Sequence, residues 1–354
     1  DGDLLGWLSG AWKAEEPSEA VAALKDSHPQ LGAKIAVTGL AKGGFRGWMH
    51  FPRLGSNMWY VLITSILAGV GIGVLAQPQL AVRFMTVKSS RELNRAVLVG
   101  GVFILMTTGV VYTTGNLSNV WFWQPENGGT ISIDKAGHID AIIPAYINSA
   151  LPDWFGAVFM LTLLAAALST LSSQFHAMGT AIGRDLYERS IRNTKGLDST
   201  ILVTRAGIII SILVTVWLAF KLPPGIVAAA TAIFFGLCAS AFLPMYVGAL
   251  FWRRMNKAGA IASVCVGFGV SFFWLMFVQQ VKGKLPALLL EALTGEKTLL
   301  PEPILGIHWN WLDALFVALP LSAITAVVVS LLTKPDPESH LALCYGGPKQ
   351  RPEK

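Results

Sequence analysis

Seven apolar stretches, separated by polar and charge-bearing loops, organise the chain from residue 57 to residue 332. They run approximately Asn57–Phe84, Ala96–Val120, Trp154–Ile182, Thr200–Phe220, Gly225–Trp252, Ala258–Val281 and Trp311–Leu332. Each reaches the roughly 20 residues that carry a helix across a hydrocarbon core. The pattern therefore predicts an all-α polytopic membrane protein. Residues 1–56 form a mixed polar segment with no span of their own, expected outside the cytoplasm, and residues 333–354 form a short tail. The chain opens on Asp1 with neither an initiator Met nor a signal peptide, so it reads as a fragment or a processed product.

Loop parity tests the count. The loop after the first span holds Arg83, Lys88, Arg91 and Arg95, and the loop after the third holds Arg184, Arg189, Arg192, Lys195 and Arg205. Arg253, Arg254 and Lys257 follow the fifth span, and Lys334, Lys349, Arg351 and Lys354 follow the seventh. The alternate loops hold only Lys135, Lys221, Lys282, Lys284 and Lys297. Basic residues gather on the cytoplasmic side, so a cytoplasmic C-terminus and an outward-facing N-terminal segment are expected. A wrong count would have mixed the two sets.

Composition fits a protein solvated by lipid: 53% hydrophobic residues, 14% charged residues and a mean hydropathy of +0.55. The net charge of +6 is accounted for by the cytoplasmic loops. No basic stripe is interleaved with aromatics as single-stranded nucleic acid requires, so nucleic acid is not an expected partner. Cys238, Cys265 and Cys344 have neither disulfide nor metal-ligand spacing. In the outward loop Trp121–Pro152, the stretch HIDAIIPAYINSALP has apolar residues at helical spacing. A short helix is expected there, either as a gating lid or as an interfacial packing element.

Two spans carry candidate chemistry. The first contains Gly69, Gly71 and Gly73 and then meets Gln77-Pro78. Glycines let a backbone leave helical geometry and offer its amides and carbonyls to a ligand. Interrupted spans mark binding sites in secondary transporters, so Gly69, Val70, Gly71, Gly73 and Val74 are expected to line a substrate cavity, with close helix packing as the alternative. In the third span, Ser169, Ser172, Ser173, His176 and Thr180 share one helical face. Such hydroxyls often bond carbonyls of their own helix, and small faces also let helices pack closely. Yet the hydroxyls of Ser169 and Thr170 with the carbonyl of Ala166 offer three oxygens on a carboxylate-free span, a set suited to weak monovalent rather than calcium-like binding. His176 is expected to pack or hydrogen-bond rather than relay protons.

At this point the residues match a family. The segment GIGVLAQPQLAVRFMTVKSS resembles the G-x-G-x-x-x-Q-P-x-x-x-x-R-F-M segment of the solute:sodium symporter family. Leu164–Leu171, LAAALSTL, resembles the sodium-site helix of that family, and Arg184-Asp185-Leu186-Tyr187 its cytoplasmic end. Phe242–Ala260 resembles a later helix and basic turn of the bacterial proline-type members. The resemblance implies a broken-helix, inverted-repeat transporter fold with the first repeat missing. It implies sodium held at Ala166, Ser169 and Thr170 against a helix of that missing repeat, with substrate beside Gly69–Val74. Proline carriers of the family have aromatic residues where this chain has Val70 and Val74, so the implied substrate is an amino acid or organic acid rather than proline specifically.

The expected function is sodium-coupled symport of a small organic solute across the inner membrane of a prokaryote. Sodium is the coupling ion, with no organic cofactor and no other metal. The missing N-terminal helices and the lipid bilayer are the expected partners besides substrate. A transporter-like sensory or scaffolding module is the alternative. No phosphate-binding motif points to ATP, no partnered nucleophile points to an enzyme, and one polar stripe does not make a channel.

Overall fold

The computed structural model describes residues 51–78, 80, 87–127, 129–192, 197–221, 227–280 and 288–345. The expectations for residues 1–50, for Arg83 and Phe84 at the inner end of the first span, and for Gly225, Val281 and residues 346–354 lie outside the described residues. Among the described residues the chain is helical throughout, apart from loops and one isolated bridge between Ile304 and Ile307. Among these residues, seven helices are long and apolar enough to cross a membrane. The spans are α1 (Asn57–Ala76), α2 (Ser90–Trp123), α5 (Asp153–Thr180), α6 (Leu197–Lys221), α7 (Val227–Phe251), α8 (Lys257–Phe273) and α10 (Leu315–Leu332). Shorter helices are α3 (Ser132–Ala136), α4 (Ile142–Ala150), α9 (Leu288–Thr294) and α11 (Glu338–Tyr345). The helix expected within HIDAIIPAYINSALP is α4.

The chain divides into two compact units, one made of the residues before Val99 and after Ile226, the other of Val99–Ile226. In the first, α1, α7, α8 and α10 pack together through small residues. Gly259, Ser263, Gly267 and Ser271 are buried at every fourth position of α8, and Ala318, Ser322, Ala326 and Ser330 line α10. The Ser263 and Ser322 hydroxyls lie 2.9 Å apart, and Ser322 also donates to the Ser263 carbonyl at 2.9 Å. A methyl group on Gly259 would overlap the Ser330 hydroxyl, and one on Gly267 would overlap the Ser240 carbonyl of α7. Lipid tails are as apolar as leucine, so close approach and interhelical hydrogen bonds, rather than apolar bulk, hold such helices together. At the far end Asn256 caps α8 by accepting from Gly259 N–H at 2.9 Å, and its amide donates to Thr333 Oγ1 (2.7 Å) and the Lys334 carbonyl (3.0 Å). Tyr345 of α11 donates to the Ala249 carbonyl at 2.6 Å.

In the second unit α5 continues as a π-helical stretch, Ala181–Arg192, and lies against α6. Glycines again set the approach: Gly179 meets Ile208, Gly183 meets Thr204 and Gly207 meets Ile182. Tyr146 of α4 packs edge-on to Trp121 and Phe122 at the end of α2. Asn119 accepts from the backbone and the hydroxyl of Ser132 at 3.2 and 2.7 Å, tying α3 to the same point. The apolar cores of α2 and α5 bury none of their residues within the protein.

Candidate functional site

The first span is not uniform. One α-turn, Asn57–Tyr60, leads into a π-helix, Val61–Val70. An α-turn, Gly71–Gly73, and a 3₁₀ turn, Val74–Ala76, follow before the chain becomes extended at Gln77 (φ −68°, ψ 123°). Stretches of π-helix are rare and often sit at functional sites. The expectation that the glycines unwind the span is corrected here. Gly71 (φ −60°, ψ −45°) and Gly73 (φ −64°, ψ −32°) keep helical geometry, and the break falls at Gln77-Pro78.

The five residues expected to line a cavity divide between two faces. Gly69 and Gly73 are buried against α7: a methyl on Gly73 would overlap the Phe235 carbonyl, and one on Gly69 would sit 3.4 Å from that of Ala232. Gly71 and Val74 are exposed, with open space around the Gly71 Cα, and Val70 is half-buried. Packing thus takes Gly69 and Gly73 and leaves Gly71 and Val74 open.

On α5, Ser169 and Thr170 are both exposed, as are Ser172, Ser173 and His176. Ser169 donates to the Ala166 carbonyl at 3.2 Å and Ser173 to the Thr170 carbonyl at 3.3 Å. Thr180 donates to the carbonyls of His176 (3.0 Å) and Ala177 (2.9 Å). These are the own-helix bonds that hydroxyls form when no neighbour engages them. Ala166, Ser169 and Thr170 come together in the second unit, and Gly69–Val74 in the first.

A polar centre absent from the expectations lies at the head of α10. Asp313 (1% exposed) has its backbone N–H bonded to Thr64 Oγ1 of α1 at 3.2 Å, and its carboxylate accepts from Leu315 N–H at 3.0 Å and Gln279 Nε2 at 3.4 Å. The Ser65 hydroxyl faces the same carboxylate. Gln279 Oε1 accepts from Ala314 N–H at 3.2 Å. Gly236 of α7 leaves the space, since a methyl there would lie 2.9 Å from Asp313 Oδ1. In the sequence, the signal was a lone Asp immediately ahead of an apolar run, one residue before the N-cap Ala314.

Seven candidate spans among the described residues, one of changing helix type and one with an exposed stripe of hydroxyls, mark a polytopic membrane protein. The profile of the Sodium:solute symporter family matches residues 53–267. The chain belongs to that family, whose members are transporters rather than enzymes. It is 29% identical over 212 residues to the high-affinity proline transporter PutP of Bacillus subtilis, covering 58% of this chain and 41% of that protein. It is 26% identical to a sodium/pantothenate symporter of Haemophilus influenzae (56% of this chain, 39% of that protein). It is 24% identical to a monocarboxylic acid transporter of Corynebacterium glutamicum (78% of this chain, 48% of that protein). The chain thus spans less than half the length of these relatives.

Proposed function

We propose that this chain forms the second-repeat part of a carrier that couples inward sodium movement to uptake of a small amino or organic acid by alternating access. The observation that carries the proposal is the Ala166–Ser169 pair. Its carbonyl and hydroxyl oxygens stand 3.2 Å apart on an exposed, carboxylate-free stretch of α5. Neighbouring oxygens around an ion with ligand distances of 2.3–2.6 Å are about 3.3–3.7 Å apart in octahedral geometry, so a small rotation of Ser169 turns this pair toward a cation. Thr170 supplies the third oxygen, and the remaining ligands belong to first-repeat helices that this sequence does not contain. The substrate sits beside Gly71 and Val74, on the side of α1 turned away from α7. The spacing of the basic loops supports a cytoplasmic C-terminus, with residues 1–56 outside.

One charge moving through 100 mV supplies about 2.3 kcal/mol, and a tenfold sodium gradient adds about 1.4 kcal/mol. Together they drive accumulation of roughly 500-fold per ion without ATP. The test is uptake of labelled proline, pantothenate and short monocarboxylates by proteoliposomes holding the full-length carrier. An inward sodium gradient should stimulate one class of solute and an equal potassium gradient should not. Equal uptake under both gradients would overturn the proposal.

A further inference from the structure

The cluster at Asp313 has no place in the site described above, yet it ties the functional span α1 to α10. We infer that Asp313 is a positioning residue: with Thr64 and Ser65 it clamps the outer half of α1 to the head of α10, and the two move as one piece through the transport cycle. The inference rests on the proposal that α1 borders the substrate.

Four polar residues meet where almost no water reaches them. Thr64 is 3% exposed, Ser65 8%, Gln279 3% and Asp313 1%. Their bonds form a chain. Thr64 Oγ1 donates to the Tyr60 carbonyl at 2.6 Å and accepts from Asp313 N–H, while the Asp313 carboxylate takes Gln279 Nε2 and Leu315 N–H and faces the Ser65 hydroxyl. The N-terminus of α10 adds the favourable end of its dipole to the carboxylate. Tyr60 of α1 meets Trp311 edge-on with ring centroids 6.0 Å apart, a second link between the same elements. The Trp274 indole donates to the Leu312 carbonyl at 3.1 Å and so fixes the approach to Asp313. Separating α1 from α10 here would leave a buried hydroxyl, amide and carboxylate unpaired, and removing one partner of such a set exacts the full desolvation penalty of the others. Capping α10 alone needs only the bond to Leu315. It explains neither the Thr64 and Ser65 hydroxyls nor the space left by Gly236.

The test separates clamp from cap. In the full-length carrier, with the exposed Cys265 and Cys344 replaced by serine, spin labels are placed at Leu54→Cys and Glu302→Cys, and their distance distribution is measured with and without sodium. The expected wild-type distribution is narrow and unchanged by sodium. Thr64→Val removes the acceptor for Asp313 N–H while leaving the cap intact. It should broaden the distribution and raise the substrate KM at least threefold with little change in maximal rate, and Thr64→Ser should restore both. If Thr64→Val fails to fold, Asp313→Asn carries the same expectation: it keeps an acceptor for Leu315 but presents N–H to the Gln279 amide. A sodium-dependent shift of the wild-type pair, or a Thr64→Val distribution like wild type, overturns the clamp. Sodium-driven uptake by the same vesicles reports separately on symport, so loss of either reading is seen on its own.

Discussion

Ser169 and Thr170 stand side by side on an exposed face of α5, and Ser169 now spends its proton on the Ala166 carbonyl. If these oxygens hold sodium, alanine at either position removes one of few ligands. Apparent sodium affinity of the full-length carrier should then fall at least tenfold, about 1.4 kcal/mol; unchanged sodium dependence of uptake in both variants would refute the assignment. The glycines of α1 make a sharper stability test because two neighbours have opposite surroundings. Gly73→Ala drives a methyl into the Phe235 carbonyl, whereas Gly71→Ala meets open space. Gly73→Ala should cost about 1–3 kcal/mol, as overpacking does, and lower the thermal midpoint in detergent, while Gly71→Ala should leave it unchanged. The hydroxyl stripe was readable because Ser, Thr and His recur at helical spacing within an apolar run. Asp313 was not readable as part of a site, because a single carboxylate at the edge of the seventh span looks like any solvated residue until Thr64, 249 positions away, is brought against it.

At the scale of elements, length and hydropathy were enough to find all seven spans, because a bilayer demands long apolar helices. Their ends shifted by a few residues: α2 runs from Ser90 to Trp123, beyond the expected Ala96–Val120, since polar residues extend a helix past the hydrocarbon at no cost in backbone bonds. The fine structure of α1 was misplaced for a different reason. Glycine permits both unwinding and close approach, and the sequence alone cannot say which is used; α7 decides it by closing on Gly69 and Gly73. The small-residue rows of α8 and α10 also went unseen, since Gly, Ala and Ser dilute hydropathy without forming a motif. The division of α1 into two faces has a measurable consequence. Cysteine at the exposed Val74 should react with a hydrophilic thiol reagent faster than cysteine at the half-buried Val70, and substrate should protect Val74→Cys. Modification indifferent to substrate at both positions would assign the segment to packing.

At the scale of the whole molecule, the two units differ in kind. In the first, hydrogen bonds and glycine contacts join four spans. In the second, α2 and α5 bury nothing in their apolar cores, and the α5 hydroxyls have only their own helix to bond. If the remaining sodium ligands lie on first-repeat helices, as proposed, α5 stays exposed until those helices cover it. The 354-residue chain reconstituted alone should therefore show no sodium-driven uptake, whereas the full-length carrier should; uptake by the shorter chain would show that both sites are complete within it. Within the first unit the seam between α8 and α10 sets a mechanical rule. Gly259 faces Ser330 and Ser263 faces Ser322, like teeth cut to a single register. Sliding one helix past the other by a turn, about 5.4 Å, would move Ser330 off the glycine that makes room for it and part the Ser263–Ser322 pair. Shear along this seam is opposed, so the pair should tilt or travel as a single strut.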